Sequence, residues 1–186
     1  SVVYQVKLTG SDAVVDVDNP SRLPSPGSIA QVLEPYVRAV MLAPAECLGM
    51  LMDMVKQKRG EHQSTEFLSD TRMKLVVELP LSEILVDFYD KLKSMTRGYG
   101  SFDYDLIGYR PGELVKLDIM LNGKVCEPLA SIVAKEKAYE RGKALVERLK
   151  ELIPRQLFEV AIQAAIGSHI IARESVRAMA KNVTGK

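Results

Sequence analysis

Apolar and polar residues alternate from the first positions. Val2, Tyr4, Val6 and Leu8 are followed by a pause at TGSD, and the alternation resumes at Val14, Val15 and Val17. A period of two marks strands, so the opening predicts a hairpin, which is marginal in water without further partners. DNPSRLPSPGS follows, with three prolines among small polar residues, and reads as a linker.

From residue 35 the periods switch in a fixed order. PYVRAVML predicts a strand. Pro44 opens a helix with Leu48, Leu51 and Val55 on one face, closed by Lys58, Arg59 and Gly60, since basic residues and then glycine suit a helix C-terminus. EHQSTEFL and RMKLVVEL are two more strands, the second with Met73, Leu75, Val77 and Leu79 on one face. After Pro80, Ser82 is the expected cap of a helix whose stripe is Ile84, Leu85, Phe88, Leu92 and Met95. It stops at Gly98, and SFDYDLIGY is a fourth strand. The order β-α-β-β-α-β is the ferredoxin-like split βαβ arrangement, an antiparallel sheet with two helices on one face.

GYRPGE marks a second boundary near residue 110. LVKLDIML alternates cleanly into Asn122-Gly123, a strong hairpin signal, with KVCEPLASIVA as the returning strand. A helix is expected from about 136 to 152, with Tyr139, Val146, Leu149 and Ile153 toward the core. FEVAIQAAIGSHIIAR predicts a hairpin across Gly167-Ser168, and ESVRAMAKNV a last helix. The fold class is therefore α+β, a ferredoxin-like domain followed by a second α+β domain. The boundaries fall at 1–30 for a hairpin and linker ending a preceding domain, 31–109, and 110–186.

Composition adds that the chain of 186 residues has ordinary apolar and charged fractions for a packed core. No apolar run approaches a membrane span, and no signal segment opens the chain. It starts SVVYQV, without methionine and inside a strand pattern, and is expected to be cut from something longer. The net charge of +1 is unevenly spread: residues 1–109 hold 11 Lys+Arg against 15 Asp+Glu, and residues 110–186 hold 14 against 9. The second half is thus the one suited to face a polyanion.

Catalytic signatures are missing from the sequence. No GxxxxGK[ST] phosphate cradle, GxSxG elbow, HExxH or Rossmann glycine pattern occurs, so this stretch is expected to be non-catalytic, with no cofactor of its own. Cys47, Cys126, His62 and His169 stand far apart and do not make a zinc site. Asp87 with Asp90, and Asp103 with Asp105, are carboxylate pairs of the kind that solvated faces carry routinely.

Two regions offer contacts to RNA. In KLKSMTRGYGSF, Gly98, Gly100 and Ser101 allow a tight helix-to-strand turn beside Arg97 that can approach a phosphate backbone. In the 136–152 helix, Lys137 and Arg141 lie four apart and Lys143 and Lys150 seven apart. Lys135, Arg155, Arg173, Arg177 and Lys181 extend the basic population. Cations on a rigid helix can meet successive phosphates. The plainer alternative is a solvated face, with Glu140, Glu147 and Glu151 forming i,i+4 pairs.

DFYDKLKSMTRGYGSFDY and KQKRGEHQST closely resemble the fifth domain of elongation-factor-G-type translational GTPases. KAYERGKALVERLKELIPRQLFEVAIQAAIGSHIIARESVRAMAKNV resembles the C-terminal domain of LepA, the elongation factor 4 family, and VDNPSRLPSPGSIAQVLEPYV resembles that family's passage from its third domain into its fifth. The resemblance covers essentially the whole chain and implies a ribosome-dependent GTPase as parent. GTP and Mg would be held by a GTPase domain outside this stretch. It also implies contact with large-subunit rRNA near the factor-binding centre, contact with tRNA, and contact with the remaining domains of the parent. Back-translocation of tRNAs, translation fidelity and a cytoplasmic, ribosome-associated location are implied in the same way. So are peripheral attachment at the cytoplasmic face of the plasma membrane and a basic tail beyond the last residue here. The alternatives are a stand-alone RNA-binding module, a purely structural domain, and an acylphosphatase-like hydrolase sharing the strand order. MLAPAECLG stands where that hydrolase needs an arginine-bearing phosphate loop.

Overall fold

The computed structural model describes residues 2–180. The chain divides into two compact units, one of residues 1–18 and 27–111, the other of residues 19–26 and the chain from Gly112 onward.

In the first unit, β1 (Tyr4–Leu8) and β2 (Val14–Val17) form the expected hairpin. Then come β3 (Ile29–Pro44), α1 (Leu48–Gln57), β4 (Glu61–Phe67), β5 (Arg72–Pro80), α2 (Leu81–Leu85), α3 (Phe88–Met95) and β6 (Ser101–Gly112). The sheet order is β2-β1-β3-β5-β4, with β6 also on β3, and the last four strands in sequence carry the ferredoxin-like order. The hairpin, expected to end a preceding domain, pairs with the start of β3 and belongs to this same sheet. β3 accordingly begins six residues earlier than its alternation alone suggested.

Strand alternation builds the core. Val37, Ala39, Met41 and Ala43 of β3 share a face with Met73, Leu75, Val77 and Leu79 of β5. Leu51, Met54 and Val55 of α1 and Phe88 and Leu92 of α3 cover that face. Each fully buried side chain of this size contributes roughly 1.5–3 kcal/mol.

The single helix expected after Pro80 is broken in two, and Ser82 does not cap it; Pro80 stands at the cap position with no side-chain bond. Val86 is extended and Asp87 left-handed at φ 51°. The cause lies 28 residues upstream. Lys58 is buried, and its ammonium donates to the Val86 carbonyl at 2.8 Å and the Asp87 carboxylate at 2.6 Å. A buried ammonium needs such acceptors, and a continuous helix would withhold the Val86 carbonyl. With the break, Leu85 leaves the expected stripe and is exposed.

Beside it, Arg59 sits left-handed at the end of α1, a conformation usually left to glycine. Its guanidinium donates to Glu34 at 2.8 Å and Glu83 at 3.2 Å, and both carboxylates are buried. The next residue is glycine because a Cβ there would stand 2.7 Å from Val55 Cγ1.

On the sheet face away from the helices, Glu78 accepts from Arg38 and Arg110, and Arg110 stacks over the Tyr36 ring at 4.6 Å. The Arg110 guanidinium, with Arg38 beside it, holds the Glu78 carboxyl below its ordinary 4.5, outweighing the upward push of burial. A depressed folded-state pKa stabilises the fold above 4.5, and that contribution is lost as pH falls through the lowered value. Unfolding free energy should therefore decline as pH drops below about 4.5, and Glu78→Gln should flatten the decline. A chemical-denaturation series from pH 7 to 3 measures both; identical slopes for wild type and Glu78→Gln would contradict this account.

The second unit holds β7 (Leu114–Leu121), β8 (Lys124–Val125), β9 (Ser131–Ala134), α4 (Ala138–Leu152), β10 (Val160–Ile166) and β11 (His169–Val176). The order is β11-β10-β7-β8, with β9 on the first half of β7. Asn122 and Gly123 are both left-handed, as the two-residue hairpin turn requires, and the Asn122 side chain accepts from the Ala161 amide at 2.8 Å. The returning strand is interrupted by a short turn at Glu127–Leu129, where Pro128 has no amide for the ladder.

One expectation fails here, and another holds except at one residue. The 174–183 helix does not form over its described part: Glu174, Ser175 and Val176 extend β11 opposite Ile162, Ala161 and Val160, and residues 177–180 have no regular structure. A continuous strand partner satisfies those backbone groups and overrides helix propensity. The remainder of that helix lies outside the described residues. The buried stripe of α4 is Ala138, Gly142 and Val146, while Tyr139 is 60% exposed. Val146 is buried and Leu149 and Ile153 pack against the same core, as expected, and at Gly142 the helix backbone comes close to the sheet, where a Cβ would lie 3.0 Å from Ile171 and 3.2 Å from Ala164.

Candidate nucleic-acid interface

The basic residues expected to meet RNA fall into separate groups. Arg97 belongs to the first unit, in the turn between α3 and β6. It is left-handed at φ 53° and exposed, and Gly98 after it is left-handed too. Thr96, buried, fixes this turn: its hydroxyl donates to the Leu92 carbonyl at 2.7 Å and accepts from the Gly100 amide at 2.7 Å. Arg72 donates to the Tyr99 carbonyl at 3.2 Å, leaving the Tyr99 ring in solvent. Arg97 is thus presented on a rigid support.

The second unit carries the larger group. Lys135 and Lys137 occupy a single tight turn leading into α4. Lys137 and Arg141 are half-buried on one flank of the helix, and each makes an electrostatic or hydrogen-bonding contact within the chain. Arg148 lies seven residues beyond Arg141, hence on the same face, and is exposed. Sequence reasoning passed over it although that spacing marks it. Lys143 is exposed and has no ion pair among the described residues, although Glu147 stands four residues on. The solvated-face alternative relied on such pairs. Lys150 does form one, with Glu174 of β11 at 3.2 Å.

At the C-terminal end of α4, Lys150, Arg155 and Arg177 line a cleft of about 570 Å³ together with Glu151, Ile153, Ser175 and Val176. Arg155 and Arg177 have no ion-pair partner among the described residues. The end of α4 with the residues just after it, and the end of β11, distant from them in sequence, thus bring three of the expected cations together. Arg173 does not join them. Its neighbour Glu174 points toward α4, so alternation turns Arg173 to the other face of the sheet. Lys181 lies outside the described residues.

Asp87 is occupied by Lys58 and Lys91; burial alone would raise its pKa, but the two ammonium groups hold it below the ordinary value. The turn after β3, at the acylphosphatase-like position, carries no arginine, and Cys47 there faces the Met95 carbonyl. Among the described residues no helix is long and apolar enough to cross a membrane.

Residues 31–120 match the family model described as the C-terminus of elongation factor G, and residues 121–186 the model described as the C-terminus of the GTP-binding protein LepA. Elongation factor 4 of Wolinella succinogenes is 54% identical over 187 residues, which cover 100% of this chain and 31% of that protein. The chain belongs to the LepA, or elongation factor 4, family. Elongation factor 4 of Bacillus cytotoxicus is 53% identical and that of Halalkalibacterium halodurans 52%, each over 100% of this chain and 30% of the relative. The chain therefore spans about 30% of the length of these LepA relatives. The turn bearing Arg97 lies within the elongation-factor-G-type match, and α4 and the cleft within the LepA-specific match.

Proposed function

We propose that this chain is the RNA-facing, non-catalytic part of a ribosome-dependent translational GTPase. The carrying observation is the pair of flanks of α4: Arg148 stands exposed on the flank of Lys137 and Arg141, and Lys143 stands exposed on the other flank, both without an ion pair among the described residues, on a helix held close to its sheet at Gly142. Fixed cations at helical spacing suit the phosphates of structured RNA, each contact releasing counterions. Family membership supports the ribosome as the source of that RNA. Large-subunit rRNA near the factor-binding centre is the partner assigned to the Arg97 turn, and tRNA the partner assigned to the LepA-type unit. GTP and its Mg are assigned to a domain of the parent outside this stretch. Back-translocation in the service of translation fidelity is the role assigned to the parent, in the cytoplasm and on the ribosome.

Cosedimentation of the chain with purified 50S particles tests this reading. The chain should pellet with the particles at low salt and be released between about 50 and 200 mM salt. It should turn over no GTP with or without ribosomes. A chain that stays in the supernatant at low salt would be a structural domain only.

A further inference from the structure

The segment joining α4 to β10 presents its two large apolar side chains to water, with Leu157 75% and Phe158 78% exposed. Scattered exposed apolar residues are ordinary. This ring, however, is three residues from Arg155, which lines the cationic cleft with Lys150 and Arg177. Three residues span at most about 11 Å, so cation and ring can address the phosphate and base of one nucleotide or of neighbours. The segment is also held in place. Pro154 restricts its start, the Gln156 side chain donates to the Pro154 carbonyl at 3.3 Å, and the Met179 amide donates to the Gln156 carbonyl at 2.8 Å.

We propose that this segment binds an unpaired nucleotide of RNA, its phosphate in the cleft and its base stacked on Phe158. The proposal rests on the RNA-facing reading above and narrows it to single-stranded or splayed-out bases, because a base inside a duplex offers no free face to a ring. Acidic groups oppose the phosphate at one side: Glu151 lines the cleft and Glu174 pairs with Lys150. That pair is partly exposed and yields readily to a competing anion. The carbonyl end of α4 repels anions as well, which directs the phosphate toward Arg155 and Arg177.

Fluorescence anisotropy with the full chain, a short labelled oligouridylate and an RNA hairpin of equal charge tests it. Phe158→Ala should lower the ratio of single-strand to duplex affinity about tenfold, with an unchanged melting temperature since the ring is exposed. Phe158→Trp should restore the ratio, and Phe158→Leu should behave like alanine. Joint reversal of Arg155 and Arg177 to glutamate should weaken binding of the oligouridylate. An unchanged ratio in Phe158→Ala, or wild-type binding by Phe158→Leu, overturns the stacking contact and leaves the RNA-facing reading standing. Failure of the wild-type chain to bind either RNA at low salt overturns both.

Discussion

Replacing Arg59 with methionine should destabilise the first unit by about 3–5 kcal/mol. The side chains of Glu34 and Glu83 are each only 2% exposed, and the Arg59 guanidinium stands between them. Burial works against its charge, but the hydrogen bond and charge of Glu34, reinforced by Glu83, raise its pKa above the ordinary arginine value. Without it, the two buried carboxylates lose the guanidinium they share. Methionine keeps the stem's volume, so the loss reports the missing charge rather than a cavity. It also keeps the left-handed backbone at this position without the anchors that hold it there. Urea unfolding should show a lower midpoint with an unchanged m-value, and adding Glu34→Gln and Glu83→Gln should recover part of the loss. A loss under about 1 kcal/mol would mean that the carboxylates find water or other donors.

Reversing Lys137, Arg141 and Lys143 together to glutamate should weaken binding to large ribosomal subunits on the order of 100-fold at low salt. It should also reduce the slope of log K against log salt by about 3, one for each lost phosphate contact. Lys137 and Arg141 already make contacts within the chain, so the melting temperature of the variant must be checked. Lys143 has no such contact among the described residues, and Lys143→Glu alone should move affinity and slope without moving stability. Unchanged affinity and slope in the triple variant would remove α4 from the interface.

Period-two stretches such as RMKLVVEL and LVKLDIML were legible because each strand exposes one face and buries the other, and Asn122-Gly123 announced its own turn. What failed to show in the sequence depends on distant partners. The break at Val86 and Asp87 is imposed by Lys58, and nothing in the local stripe of Ile84, Leu85 and Phe88 signals it. The strand at Glu174–Val176 exists because β10 is long enough to pair with it. The close seat of α4 on its sheet depends on Gly142, a residue that helix reasoning treats as a weakness rather than as a contact with the sheet. The site divides in the same way. Residues on one helix, Lys137, Arg141 and Lys143, could be grouped by spacing, and so could the overlooked Arg148. The cleft could not, because α4, the segment after it and the end of β11 meet only in the folded chain. Phe158 was likewise hidden: its exposure is set by the segment's anchoring through Pro154, Gln156 and Met179, not by its composition.

The claim that α4 touches RNA is tested most directly by photoreactive amino acids placed singly at position 143 and position 148, one on each exposed flank, in the full chain irradiated on intact 50S particles with and without tRNA. The account predicts adducts to RNA that disappear at high salt. Adducts to ribosomal protein alone, or none while the chain remains bound, would contradict it.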